Sequence, residues 1–501
     1  IRHVDVLCLT IFDPLPRGRL TRLYALANRL HVRTRPATVR ALLLFRPGDP
    51  WSADRAAETE RLLRSIEYIE PDPISARTVG DSVDVVVVTH DQWTTQPELN
   101  VESGGGTTSG SLGFTERNLL GLGLGVSASY HHDPAGTSRQ ASLWGQRLFG
   151  TDLQTRLQAG NGSAGAQHWL SVGEPFVALD SRRTWGASWA RTATDVQLFQ
   201  GGALAAEFPR DGNDVEVEWG VGARAPDSTV RRFTLQYTQH DRRLGASTVQ
   251  PGAPASFAGP NEDLRLHRVA GEARLWRPHY IQRRGVETID PIEDFDVGSS
   301  LALLVGFAPR ALGSTADEGY GRVRWDAGWL GGSGFGLLHA ALESRVRGGP
   351  RETLGTLDAR WVQQPDPRLT LVCAAHAIAG QHMLRDFQAV IGGLNGLRAY
   401  PVQELAGDEA WRLNAETRWV AARDVWSLVS LGAAAFGDAA RTWGPGSDAA
   451  PWHEDAGLGL RLALPHASLH QLARFDVAWP LSPARDGRRQ PVFSFGSQQA
   501  F

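Results

Sequence analysis

The chain has 501 residues, 42% hydrophobic and 21% charged, with a formal net charge of -3, which excludes collagen-like, disordered and small disulfide-rich classes. Its 51 basic residues, all arginine, stand against 54 Asp and Glu, so no overall positive field exists to recruit nucleic acid. The length suits about two to four ordinary domains, or one small domain and one large all-β unit, and the 55 glycines and 17 tryptophans suit many short strands and turns.

Residues 1–95 read as a separate α+β unit. The chain opens at Ile1 with no leader-like segment, as a mature or trimmed terminus would. Residues 3–10 are a strand candidate, followed by a Pro/Gly-rich break at 14–18 and a helix over 19–30. A second helix starts with Pro36 in its first turn and carries Val39, Leu42 and Leu43 on one face. Ser52 is placed to cap a third, in which Ala56, Thr59, Leu63 and Ile66 form one stripe. Strands over 68–76 and 83–89 complete the unit.

From residue 96 to 501 the period becomes two. Trp411, Leu413, Ala415, Thr417 and Trp419 alternate with Arg412, Asn414, Glu416 and Arg418, giving one apolar and one charged face. The pattern recurs in Val215/Val217/Trp219/Val221, in Val323/Trp325/Ala327/Trp329, in Leu357/Ala359/Trp361 and in Phe475/Val477/Trp479. Tryptophans near strand ends sit where an interfacial girdle would place them. Apolar runs such as 85–88 are far shorter than the ~18 residues of a spanning helix. The expectation is an antiparallel transmembrane β-barrel; a soluble sandwich or propeller is the alternative.

Four features resemble the BamA/TamA-like outer-membrane assembly and translocation superfamily. Leu43-Leu-Phe-Arg-Pro-Gly-Asp49, Glu60-Arg-Leu-Leu-Arg64 and Val83-Asp-Val-Val-Val-Val-Thr-His-Asp-Gln-Trp93 are similar to a POTRA domain. Gly113-Phe-Thr-Glu-Arg-Asn-Leu-Leu-Gly121 resembles an early barrel hairpin, and Gly392-Gly-Leu-Asn-Gly-Leu-Arg-Ala-Tyr400 resembles a lumen-inserted loop tip, with Ala399 where the family has glycine. The end of the chain, with Ser494, Gly496 and terminal Phe501, is similar to a barrel-assembly signal, from which Gln499 departs.

The resemblance implies a POTRA-like periplasmic domain (1–95) and a sixteen-strand outer-membrane barrel (96–501), although splitting at every turn gives about twenty alternating segments. It also implies a lumenal lock in which Arg398, flanked by Gly393 and Tyr400, meets Glu416 and Asp438; a buried guanidinium independently demands such partners. The implied partners are outer-membrane lipid, an unfolded or β-rich polypeptide client taken up by the POTRA domain, and the assembly machinery during biogenesis. The implied function is insertion or translocation of a dedicated client, with a passive pore or structural barrel as the alternative.

Other signals carry less. Gly121-Leu-Gly-Leu-Gly125 precedes a strand rather than a helix, so it reads as a barrel hairpin and not a phosphate loop. His131, His132 and Asp133, then His376, His382 and Asp386, and finally His453, Glu454 and Asp455 lack a ligand spacing that a strand would converge. Cys8 and Cys373 lie in apolar runs and are expected to be buried thiols. No hydrolase or zinc-protease motif is present, so no enzyme, metal or cofactor is expected.

Overall fold

The computed structural model describes residues 1–104, 107–133, 136–253, 255–393, 395–444, 451–468, 472–485, 487–497 and 499. The N-terminal unit runs β1 (His3–Leu9), α1 (Thr21–Leu30), α2 (Pro36–Leu42), α3 (Ala53–Arg64), β2 (Ile69–Pro71), β3 (Ser75–Val79) and β4 (Ser82–Asp91). Strand β4 is central, parallel to β1 on one side and antiparallel to β2 and β3 on the other. The parallel pair requires a crossover, which the three helices supply. Alternation along β4 turns Val85 and Val87 toward Val39 and Leu42 of α2 and Leu63 of α3, all buried. Pro36 opens α2, and the Ser52 hydroxyl accepts from the Arg55 amide at 3.3 Å to cap α3. The single strand expected over 68–76 is instead two, β2 and β3, because Pro71 and Pro73 cannot donate to a ladder.

Beyond Asp91 the chain enters a closed antiparallel barrel of 20 strands among the described residues, from Thr95–Gly104 to Val492–Ser497. The sixteen strands implied by resemblance are therefore corrected to twenty. The extra alternating segments are staves hydrogen-bonded on both sides rather than hairpins folded back on themselves. Each strand sends alternate side chains outward and inward. In Glu409–Val425, Trp411, Leu413 and Trp419 are exposed while Asn414, Glu416 and Arg418 are buried. In Ser299–Ala308, Leu301, Leu303, Val305 and Phe307 face out while Ala302 and Leu304 face in. An apolar exterior around a polar interior is what a bilayer requires of a sheet, since closure leaves no unpaired edge in lipid.

Cys8 is buried in the N-terminal core, but Cys373 is exposed, against expectation. It stands on the outward face of Leu369–Gln381, opposite Trp361, so the apolar run around it faces outward from the barrel rather than into a core.

If the outer face meets lipid, Leu303→Arg should lower folding stability by about 2–4 kcal/mol, the cost of a cation near the bilayer midplane. Urea-dependent folding into phospholipid vesicles checks this, with a wild-type midpoint counting against it.

Candidate functional site

Eight strands can be filled by their own side chains, but a barrel of this size encloses a space that the wall cannot fill. Two segments enter it from opposite ends. The first lies between the strands Leu369–Gln381 and Glu409–Val425. It rises on a short stem, Ala389–Ile391 paired with Leu405–Gly407, and its tip spans residues 392–404. Gly393, at φ 59°, takes the left-handed turn there, and its amide donates to the Tyr400 carbonyl at 3.0 Å. Ile391, Leu397, Tyr400 and Leu405 pack on Ala410, Ala440 and Ala478, small wall residues that let the loop lie close. The Tyr400 hydroxyl reaches the carbonyls of Glu454 and Ser482 at 2.8 and 2.9 Å, donating to one at a time, and can accept from the Ser482 hydroxyl.

The structure brings Arg398 together with Glu416 and Asp438. Its guanidinium donates from Nε and Nη2 to both oxygens of Asp438, at 2.7 and 2.9 Å, and from Nη1 to Glu416 at 2.8 Å. Its side chain is 1% exposed, and both carboxylates are fully buried. The Phe436 ring lies under the guanidinium at 3.3 Å from its centroid, adding a cation–π contact. Ala399 does not disturb the tip: its amide donates to Asp455 at 3.0 Å.

Sequence reasoning missed the rest of this cluster. Glu416 also accepts from Arg418 at 2.9 Å and from Arg461 at 3.3 Å. Asp476 accepts from Arg461 at 2.5 Å and from Arg474 at 3.1 Å, and lies 3.7 Å from Arg398. Asn414 donates to Asp438 at 2.8 Å. Arg398, Arg418, Arg461 and Arg474 thus face the three carboxylates of Glu416, Asp438 and Asp476, with Asp455 beside them on the Ala399 amide. The available signal was inward parity, which Asn414, Arg418, Arg474 and Asp476 share with Glu416. Parity does not say which strands are neighbours, and only the closed sheet shows that.

The second insertion was also missed, because residues 278–298 carry no sustained alternation. Tyr280–Arg284 pairs with Ile292–Asp296 as a hairpin on the side of the N-terminal domain. The Glu293 carboxylate ties its tip by accepting from the amides of Val286, Glu287 and Thr288 at 2.7–2.9 Å. Burial pushes the Glu293 carboxyl above its usual range, against the opposing pull of the Val286 and Thr288 donors. The tip reaches the cluster, since Arg418 donates to the Val286 carbonyl at 2.5 Å. Ile289 packs with Val420, Ala463 and Leu472 on the wall. At its base, Asp294 accepts both Nε and Nη2 of Arg64 from α3, at 2.6 and 2.9 Å.

At the chain end, Ser494 and Gly496 face inward on the last strand, and Phe501 lies outside the described residues. Gln499 accepts from Arg461 Nε at 3.2 Å, so the residue that departs from the expected signal touches the lumenal cluster.

Fold and site together define a closed antiparallel barrel whose lumen holds an arginine-tethered loop and a hairpin. The chain is similar over 99% of its length to BamA from Haemophilus ducreyi lacking POTRA domains 1–3, at 13% identity and a TM-score of 0.46, covering 85% of that chain. It is similar over the same share to CdiB from Acinetobacter baumannii and from Escherichia coli, each at 11% identity and a TM-score of 0.46, covering 74% and 76% of those chains. No protein-family model and no curated protein sequence matches it.

Arg398→Ala leaves Glu416 and Asp438 buried without their shared cation, a loss that typically costs ~3–5 kcal/mol. The expected result is unfolding at lower temperature on semi-native gels and higher ion conductance in planar bilayers. Arg398→Lys should recover only part, since an ammonium cannot fork between two carboxylates.

Proposed function

We propose that this protein is an outer-membrane barrel of the BamA/TamA type that inserts or translocates a dedicated polypeptide client, with a POTRA-like N-terminal domain in the periplasm. The observation that carries this reading is the seam. Among the described residues, three pairs join the last strand to the first, Phe493 with Ser103, Ser494 with Glu102 and Phe495 with Val101. Ten pairs join that first strand to the second. The closing ladder is the shortest described between neighbouring staves of the wall, which favours it as the place to open sideways, and opening it would expose edges that a client strand could pair with.

Two further features support the reading. Strand β1 pairs only with β4 among the described residues, leaving an open edge on the N-terminal sheet where an extended client could add as a strand. That domain is held beneath the seam: Trp93 donates to the His466 carbonyl at 2.7 Å and accepts from the Ser468 amide at 2.9 Å, and Gln96 reaches the Ser468 carbonyl at 2.5 Å. A passive pore fits less well, because loop and hairpin occupy the lumen from both ends. The arginine cluster then acts as a lock that keeps the loop seated while the seam works.

Val101→Cys with Phe495→Cys, oxidised to a disulfide in a Cys373→Ala background, should hold the seam shut. Loss of one or a few β-rich clients from the outer-membrane proteome, restored by reduction and matched by depletion of the protein, is the expected result. An unchanged proteome with altered solute permeability on depletion would favour the pore.

A further inference from the structure

Among the described residues, helix α1 is packed on one side only. Its inner side carries Tyr24, which is buried with Ile11 and Phe12 and whose hydroxyl donates to the Trp426 carbonyl at 2.5 Å. The Phe12 ring meets His466 edge-on at 5.0 Å. On the outer side Leu23, Leu26 and Leu30 follow one another at i, i+3 and i+7, exposed by 47%, 50% and 65%, and Val32 extends them. Leucines aligned along one helix face and left uncovered mark a surface that something apolar covers.

Charge and position say what covers it. Arg22 and Arg29 border the leucine stripe, and residues 14–48 contain eight arginines without one Asp or Glu. The turn that anchors α1 carries Trp426, 73% exposed, between the strands Glu409–Val425 and Val429–Trp443. Those strands bear outward Trp419 and Leu431, so α1 lies where the apolar outer band of the barrel ends. A leucine face bordered by arginines at that height matches the interface between acyl chains and phosphates.

We infer that α1 lies in the plane of the membrane, with Leu23, Leu26 and Leu30 among the acyl chains and Arg22 and Arg29 on the phosphates of anionic phospholipids. The leaflet is the one on the side of the N-terminal domain. This rests on the membrane-barrel reading and adds to it a lipid-binding surface on the N-terminal domain. Guanidinium suits the role because its fork matches phosphate oxygens. The helix then fastens the domain to the bilayer as well as to the barrel, beside the turn that also holds Trp93.

The test uses the full chain with Cys373→Ala, so that Leu26→Cys is the accessible thiol while Cys8 stays buried. A polarity-sensitive fluorophore at position 26 is measured in phosphatidylcholine bilayers with and without phosphatidylglycerol, using lipids that carry a shallow quencher. Leu303→Cys, on the outer barrel wall, and Ala25→Cys, on the exposed side of α1 away from the stripe, are the references. The expected result is a blue-shifted, lipid-quenched signal at 26 but not at 25, strongest with phosphatidylglycerol and lost in Arg22→Gln/Arg29→Gln. Quenching at 303 with none at 26 overturns the inference and points to a protein partner for the stripe, leaving the barrel reading intact. Absence of quenching at both positions overturns the two together.

Discussion

A guanidinium withdrawn from water must be met by acceptors on its donor edges, and this requirement at Arg398 organises the barrel interior. Asp438 takes one edge as a bidentate pair and Glu416 takes part of the other, while Phe436 covers the face. Glu416 is itself buried and also meets Arg418 and Arg461, and Arg461 shares the buried Asp476 with Arg474. Removing any member leaves an opposite charge unmet in a confined site, so the cluster stands or falls as a unit. Glycine at 457 and 459 leaves room in the wall, the first for the Phe436 ring and the second for the Asp476–Arg461 pair.

The cluster also joins parts of the molecule that are far apart in sequence. From α3, Arg64 holds Asp294 at the base of the hairpin, and at its tip the Val286 carbonyl holds Arg418. Arg418 and Arg398 share Glu416, and Arg398 belongs to the loop from the opposite rim. Every link is a charge-assisted hydrogen bond, the stronger kind. The seam, by contrast, is joined by three backbone pairs among the described residues. A tethered lumen beside a short closing ladder is the combination on which the proposed lateral opening rests.

Local and periodic features were legible in the sequence. Trp411 to Trp419 showed which face of a strand was apolar, Ser52 and Pro36 marked helix starts, and Arg398 demanded carboxylates, which the family resemblance named as Glu416 and Asp438. What depended on long-range pairing was not legible. The turn count already gave about twenty segments, but that all of them are staves, the entry of Asp476 and Arg461 into the cluster and the hairpin at 280–296 follow from which strands become neighbours in a closed sheet. Cys373 shows the same limit, since an apolar run reads alike whether it faces a core or the outside of a barrel.

The central claim is that the loop over residues 392–404 is seated inside the lumen by its arginine in the resting protein. Hydrogen exchange on the wild-type protein in a bilayer tests it directly, by comparing peptides from this loop with those from the strand Glu409–Val425 and from the rim turn at 425–429. The account predicts protection in the loop close to that of the strand, including the Ala399 amide held by Asp455. Exchange as fast as in the rim turn would contradict it.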